Sequence, residues 1–111
     1  MQKSLMNQNK IVKQLIFFAK REFKEKKPLA VQVLRIKGEQ VLNKGGPLKV
    51  LSVSRVVGAY YLVLVEYKEV IRVYLYSKNG ELLEGRNFEQ NPKLLADIRK
   101  STVRVFSIGK N

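Results

Sequence analysis

The chain has 111 residues, with 22 basic against 9 acidic side chains, a formal net charge of +13, no histidine and no cysteine. The missing histidine excludes a Ser/His/Asp triad, histidine-ligated zinc and the usual general base near neutral pH, and the missing cysteine excludes disulfides, thiolate metal sites and thiol nucleophiles. Apolar residues at 45% in periodic blocks predict one folded domain over 1–111 rather than a basic tail, and the charge calls for an anionic partner because self-repulsion opposes compaction.

The first predicted element is an amphipathic helix from about Ser4 to Lys27, because Leu5, Val12, Leu15, Ile16, Ala19 and Phe23 recur at helical spacing while Ile11 and Phe18 widen the stripe. Lys10, Lys13, Lys20, Arg21, Lys24, Lys26 and Lys27 fall mostly on the remaining arc, and Pro28 opposes continuation. Residues 1–27 hold eight basic and two acidic side chains and so supply +6 of the total. Such a helix suits packing on a core with a solvated lysine face. Glu22, Glu25 and the dense charge at its end disfavour a role on a membrane surface or as a targeting segment.

From Leu29 the periodicity changes to alternation, and strands are predicted over 30–37, 48–57, 60–67, 70–77 and 82–88. Asn43 to Pro47 reads as a loop whose two glycines lack the spacing of a phosphate-binding loop. Gly58-Ala59 suits a two-residue turn, and Lys78-Asn79-Gly80 suits a tight hairpin or a turn with a glycine bulge. Asn91 can cap a short helix with Pro92 at its first position and Leu94, Leu95 and Ile98 as its apolar stripe. Thr102 to Ile108 then forms a last strand. The predicted class is α+β: an N-terminal amphipathic helix (1–27) packed on a mainly antiparallel sheet of about five to six strands (29–90), then a short helix and last strand (91–108).

Even-length turns at Gly58-Ala59 and Lys68-Glu69 put Leu51, Val53, Leu62, Leu64, Ile71, Val73 and Leu75 on one face, which is the predicted core. The other face then carries Ser52, Ser54, Tyr61, Val63, Val65, Tyr67, Arg72, Tyr74 and Tyr76. Tyrosines interleaved with small polar residues and an arginine could stack bases if that face is open. Val63 and Val65 between them instead suit a face covered by a helix or a second subunit. Outside the first helix the cations are spread, but Lys93, Arg99, Lys100 and Arg104 surround the second helix and last strand, and Arg35 and Lys37 end the first strand. Either group could follow a phosphate backbone.

Glu66-Tyr67-Lys68, at the end of the apolar run Val63-Leu64-Val65, resembles the catalytic strand of PD-(D/E)xK nucleases. The resemblance implies a divalent cation held by two carboxylates, with Lys68 near an attacking water. The preceding strand offers Ser52, Ser54 and Arg55 in place of the second acid, so that Glu39, Glu22 or Glu25 would have to be recruited.

No helix-turn-helix spacing, zinc ligand set, basic zipper or aromatic ribonucleoprotein motif is present. The expected function is non-enzymatic binding of nucleic acid, DNA or RNA, through phosphate contacts, with no cofactor and no metal. The expected contact residues are Lys10, Lys13, Lys20, Arg21, Lys24, Lys27, Arg72, Tyr74, Tyr76, Arg99, Lys100 and Arg104. One alternative is an assembly module using the tyrosine face for a homodimer or larger complex; another is a degenerate or divergent nuclease centred on Glu66 and Lys68. No uncharged run reaches the roughly twenty residues of a membrane span, and an intracellular place, cytoplasmic or nucleoid-associated, is expected, with an organellar one left open.

Overall fold

The computed structural model describes residues 2–37 and 59–110. Seven elements follow in order: α1 (Gln2–Lys26), β1 (Ala30–Ile36), β2 (Ala59–Glu66), β3 (Val70–Ser77), β4 (Leu82–Glu89), α2 (Pro92–Lys100) and β5 (Thr102–Gly109). The class is α+β, as the sequence predicts. The predicted strand 48–57, the loop 43–47 and Gly58 lie outside the described residues. Ala59 differs from expectation: it opens β2, buried and opposite Ser77, because a register shift between Ala59 and Tyr61 lets the strand start before the tyrosine pair.

The strands form one five-stranded sheet in the order β4-β3-β2-β1-β5, with every neighbouring pair antiparallel. Tyr67 N–H donates to the Val70 carbonyl at 2.8 Å, which closes the β2–β3 hairpin over Lys68 and Glu69. At the next hairpin Gly80 N–H donates to Ser77 at 3.0 Å, and Gly80 takes φ +85°, the left-handed conformation that a glycine-bulge turn requires.

Each face of the sheet is covered by one helix. Leu34, Ile36, Leu62, Leu64, Ile71, Val73 and Leu75 pack against Leu94, Leu95 and Ile98 of α2. Asn91 starts that helix as expected, its Oδ1 accepting from Lys93 N–H at 2.9 Å and from Leu94 N–H at 3.4 Å. On the opposite face Val31, Val33, Tyr61, Val63, Val65 and Tyr76 receive Ile11, Leu15 and Ala19 of α1. The tyrosine face is therefore a second core, and α1 occupies the place that the assembly reading gave to a partner.

Local contacts hold α1 near its middle and at its C-terminal end. Ile11 sits against the β3–β4 turn, 3.3 Å from where a Cβ on Gly80 would stand. At the C-terminal end Lys27 N–H donates to Phe23 at 3.1 Å, and Lys27 adopts φ +51°, the sole positive φ of a non-glycine residue among the described ones. Pro28 disfavours the helical conformation in the residue before it, which accounts for the break at Lys27. Gly109 closes this corner at φ +101°: a Cβ there would lie 2.5 Å from the Leu29 carbonyl and 2.7 Å from Phe23 Cε1.

Candidate nucleic-acid interface

Because the apolar stripe of α1 is spent on the sheet, its opposite arc is held outward on a rigid support. Lys10, Lys13, Lys20, Arg21 and Lys24 are all exposed, and at helical periodicity they fall within an arc of about 100°. The row from Lys10 to Lys24 is about 20 Å long at the rise of an α-helix. Phe17 lies at its middle and is 65% exposed. Arg21 stands over the Phe17 ring with its guanidinium carbon 5.8 Å from the centroid, while Lys20 Nζ is 5.7 Å from the centroid of Phe106 on β5. Phe17, Lys20, Arg21, Lys24 and Glu25 line a shallow depression of about 350 Å³. Phe17 is absent from the residues expected from sequence; its spacing from Lys13, Lys20 and Lys24 was the available signal.

The remaining expected cations do not join this row. Arg99 and Lys100 end α2, and Arg104 pairs in register with Leu34, so all three belong to the α2 side of the sheet. Lys100 and Arg104 are exposed, whereas Arg99 Nη2 approaches Glu66 Oε1 at 3.8 Å. The first-helix group and the C-terminal group are thus separated by the thickness of the sheet, and the chain carries two basic surfaces instead of one.

Arg72, Tyr74 and Tyr76 share the α1 side with different exposures. Tyr76 is 9% exposed beneath α1, with its ring centroid 6.4 Å from that of Phe18, so the stacking role that required an open face is closed to it. Burial pushes its hydroxyl pKa up to about 12, with Tyr74 and Glu22 adding to the rise. Tyr61 shifts in the same direction, mainly by burial. Tyr74 is half-buried and meets Phe18 edge-on at 5.4 Å, and its ring crosses Gly85, where a Cβ would stand 3.3 Å from it. Arg72 is half-buried and held at two points: Nε donates to Asn87 Oδ1 at 2.8 Å and Nη1 donates to the Tyr74 hydroxyl at 3.2 Å. The Tyr74 contact raises the guanidinium pKa further, keeping Arg72 charged.

Past the end of α1, a cleft of about 620 Å³ opens between Lys27, the β2–β3 hairpin and the start of β3. Lys27, Tyr67, Lys68, Glu69, Arg72 and Asn87 are among its lining residues. Of these, sequence reasoning singled out Lys27 and Arg72 as contacts but had no means of joining them, since the helix end and β3 are brought together only by the docking of α1.

The nuclease-like pair is divided between these environments. Glu66 accepts from Gln90 Nε2 at 3.3 Å and faces Arg99, whereas Lys68 lines the cleft on the other side. Glu22 is buried on the α1 side beside Lys26 at 3.3 Å, across the sheet from Glu66, and Glu25 is exposed. Glu39 lies outside the described residues. Among the described residues no three acidic side chains converge on a point that could hold a cation. Compared with protein-family models, curated proteins and solved structures, the chain has no significant match.

Proposed function

We propose that the protein binds nucleic acid, DNA or RNA, by docking the outward arc of α1 along a phosphate backbone, without an enzymatic step. One observation carries this reading: Lys10, Lys13, Lys20, Arg21 and Lys24 line one exposed arc of a helix whose opposite face is locked into the core. Cations on a preformed helix need no backbone ordering on meeting phosphates, and each contact releases condensed counterions. Phe17 supplies an exposed ring within the row, a surface on which an unpaired base can stack. The same packing spends the described apolar stripe of α1, Ile11, Leu15 and Ala19, on the sheet, which argues against a membrane-surface role.

Fluorescence anisotropy with labelled single- and double-stranded oligonucleotides tests the reading. Replacing Lys10, Lys13 and Lys24 together by glutamine is expected to weaken binding at least about tenfold near physiological salt, since phosphate contacts dominate such affinities. Unchanged affinity in the triple variant, or absence of binding by the parent chain, would remove the proposal. An acidic protein partner is the competing outcome; it would be indicated by tight binding to polyglutamate with none to oligonucleotides.

A further inference from the structure

The cleft beyond α1 is separate from the outward row, and its lining is divided by chemistry. One part is cationic, from Lys27, Lys68 and Arg72, with Glu69 the one acid at the rim. The other part is apolar. Leu29 and Val70, 41% and 38% exposed, are two large apolar side chains left uncovered, and both face this cleft together with Tyr67. Its volume of about 620 Å³ lies within the range of small-molecule sites, about 300–1,000 Å³.

Arg72 is pre-organised for an anion. Two of its N–H groups are used by Asn87 and Tyr74, which fix the plane of the guanidinium. A guanidinium carries five donors, so three remain for oxygen atoms. Asn87 spends its carbonyl on Arg72 and keeps its amide donors. Lys27 is held at the rim by the end of α1, at φ +51° with its N–H donating to Phe23.

We infer that this cleft binds a phosphomonoester linked through a sugar to a planar base, that is, a nucleotide, with phosphate on Arg72, Lys27 and Lys68 and the base against Tyr67. Three cations less the one acid leave +2, which matches the charge of about −1.5 to −2 on a phosphomonoester at neutral pH better than the single charge of a backbone phosphodiester. The apolar part needs a ring to cover Leu29 and Val70, and inorganic phosphate has none. The nucleotide can be free in solution or can be the phosphorylated end of a strand.

Titration of the full chain with AMP, adenosine and inorganic phosphate, followed by amide chemical shifts and calorimetry, tests this without any strand, so its result is independent of the role proposed for α1. AMP is expected to move the resonances of Lys27, Tyr67, Val70 and Arg72 and to bind at least tenfold more tightly than adenosine or phosphate. Lys68→Gln, an exposed turn substitution that the fold tolerates, and Arg72→Gln should each weaken AMP at least tenfold. Lys37→Gln removes the same charge at the far end of β1 and should leave it unchanged. Strands with and without a terminal phosphate identify the source: a tenfold gain from that phosphate, lost in Lys68→Gln, assigns the site to strand ends, and binding of AMP without such a gain assigns it to free nucleotide. No shift at millimolar AMP, shifts confined elsewhere, or equal affinity for AMP and inorganic phosphate would overturn the inference.

Discussion

Burial beneath α1 alters the chemistry of Tyr76 more than that of any other tyrosine. Its pKa of about 12 exceeds the ordinary value because the anion is disfavoured in the folded chain and not in the unfolded one. Below about pH 10 the hydroxyl is neutral in both states and the stability is complete; between about 10 and about 12 only the unfolded chain ionises, and folding loses up to roughly 3 kcal/mol. Tyr61 acts in the same direction. Denaturant midpoints measured across this interval should fall for the parent chain and fall distinctly less for Tyr76→Phe, a comparison that cancels the simultaneous discharge of lysines. Equal falls would mean that the ring is open to water. The sequence placed Tyr74 and Tyr76 on one face correctly, because alternation is a local property. Their unequal exposure was not legible, since it depends on how α1, an element far away in the chain, lies across β3.

At the level of elements, the pairing of β2 with β3 across Lys68-Glu69 and the start of α2 could be read from alternation, turn residues and the Asn91-Pro92 cap, all of which act within a few residues, whereas the register of β4, which shifts between Leu75 and Tyr76, could not. That α1 packs on the sheet was legible as well; which face it takes was not, because the apolar stripe of a helix states that it is covered and not by which surface. Two residues two positions apart on α1 distinguish its faces. Leu15 is 4% exposed within the core beneath the helix, so Leu15→Ala should cost about 2–5 kcal/mol. Phe17 points outward, so Phe17→Ala should stay within about 0.5 kcal/mol of the parent in the same urea titration. If Phe17→Ala were the more damaging substitution, the helix would be rotated from its assigned face. The same pair separates folding from binding, since loss of oligonucleotide affinity in a fully stable Phe17→Ala chain would place that ring in the interface.

The charge of +13 acts on the whole molecule and in opposite directions on its two equilibria. Alone, the chain repels itself, and the described ion pairs offset little of this: Lys26 with Glu22, Arg86 with Glu84 and Arg99 with Glu66 at 3.3–3.8 Å. Salt screens the repulsion, with a Debye length falling from about 30 Å at 0.01 M to about 8 Å at 0.15 M, so the melting temperature of the free chain should rise over that range. Binding to nucleic acid should weaken over the same range, because its driving term is counterion release, with a slope of about −0.9 per phosphate contact in a plot of log affinity against log salt for duplex DNA. Replacing Lys10, Lys13 and Lys24 by glutamine lowers the charge to +10 and should diminish both trends, making the binding slope shallower by about 3 and the rise in melting temperature smaller. Calorimetry of the free chain and anisotropy of the complex, run on the same salt series, read the two slopes. A melting temperature that falls with salt would show that attraction outweighs repulsion within the fold, and a binding slope unchanged by the triple substitution would place the phosphate contacts away from α1.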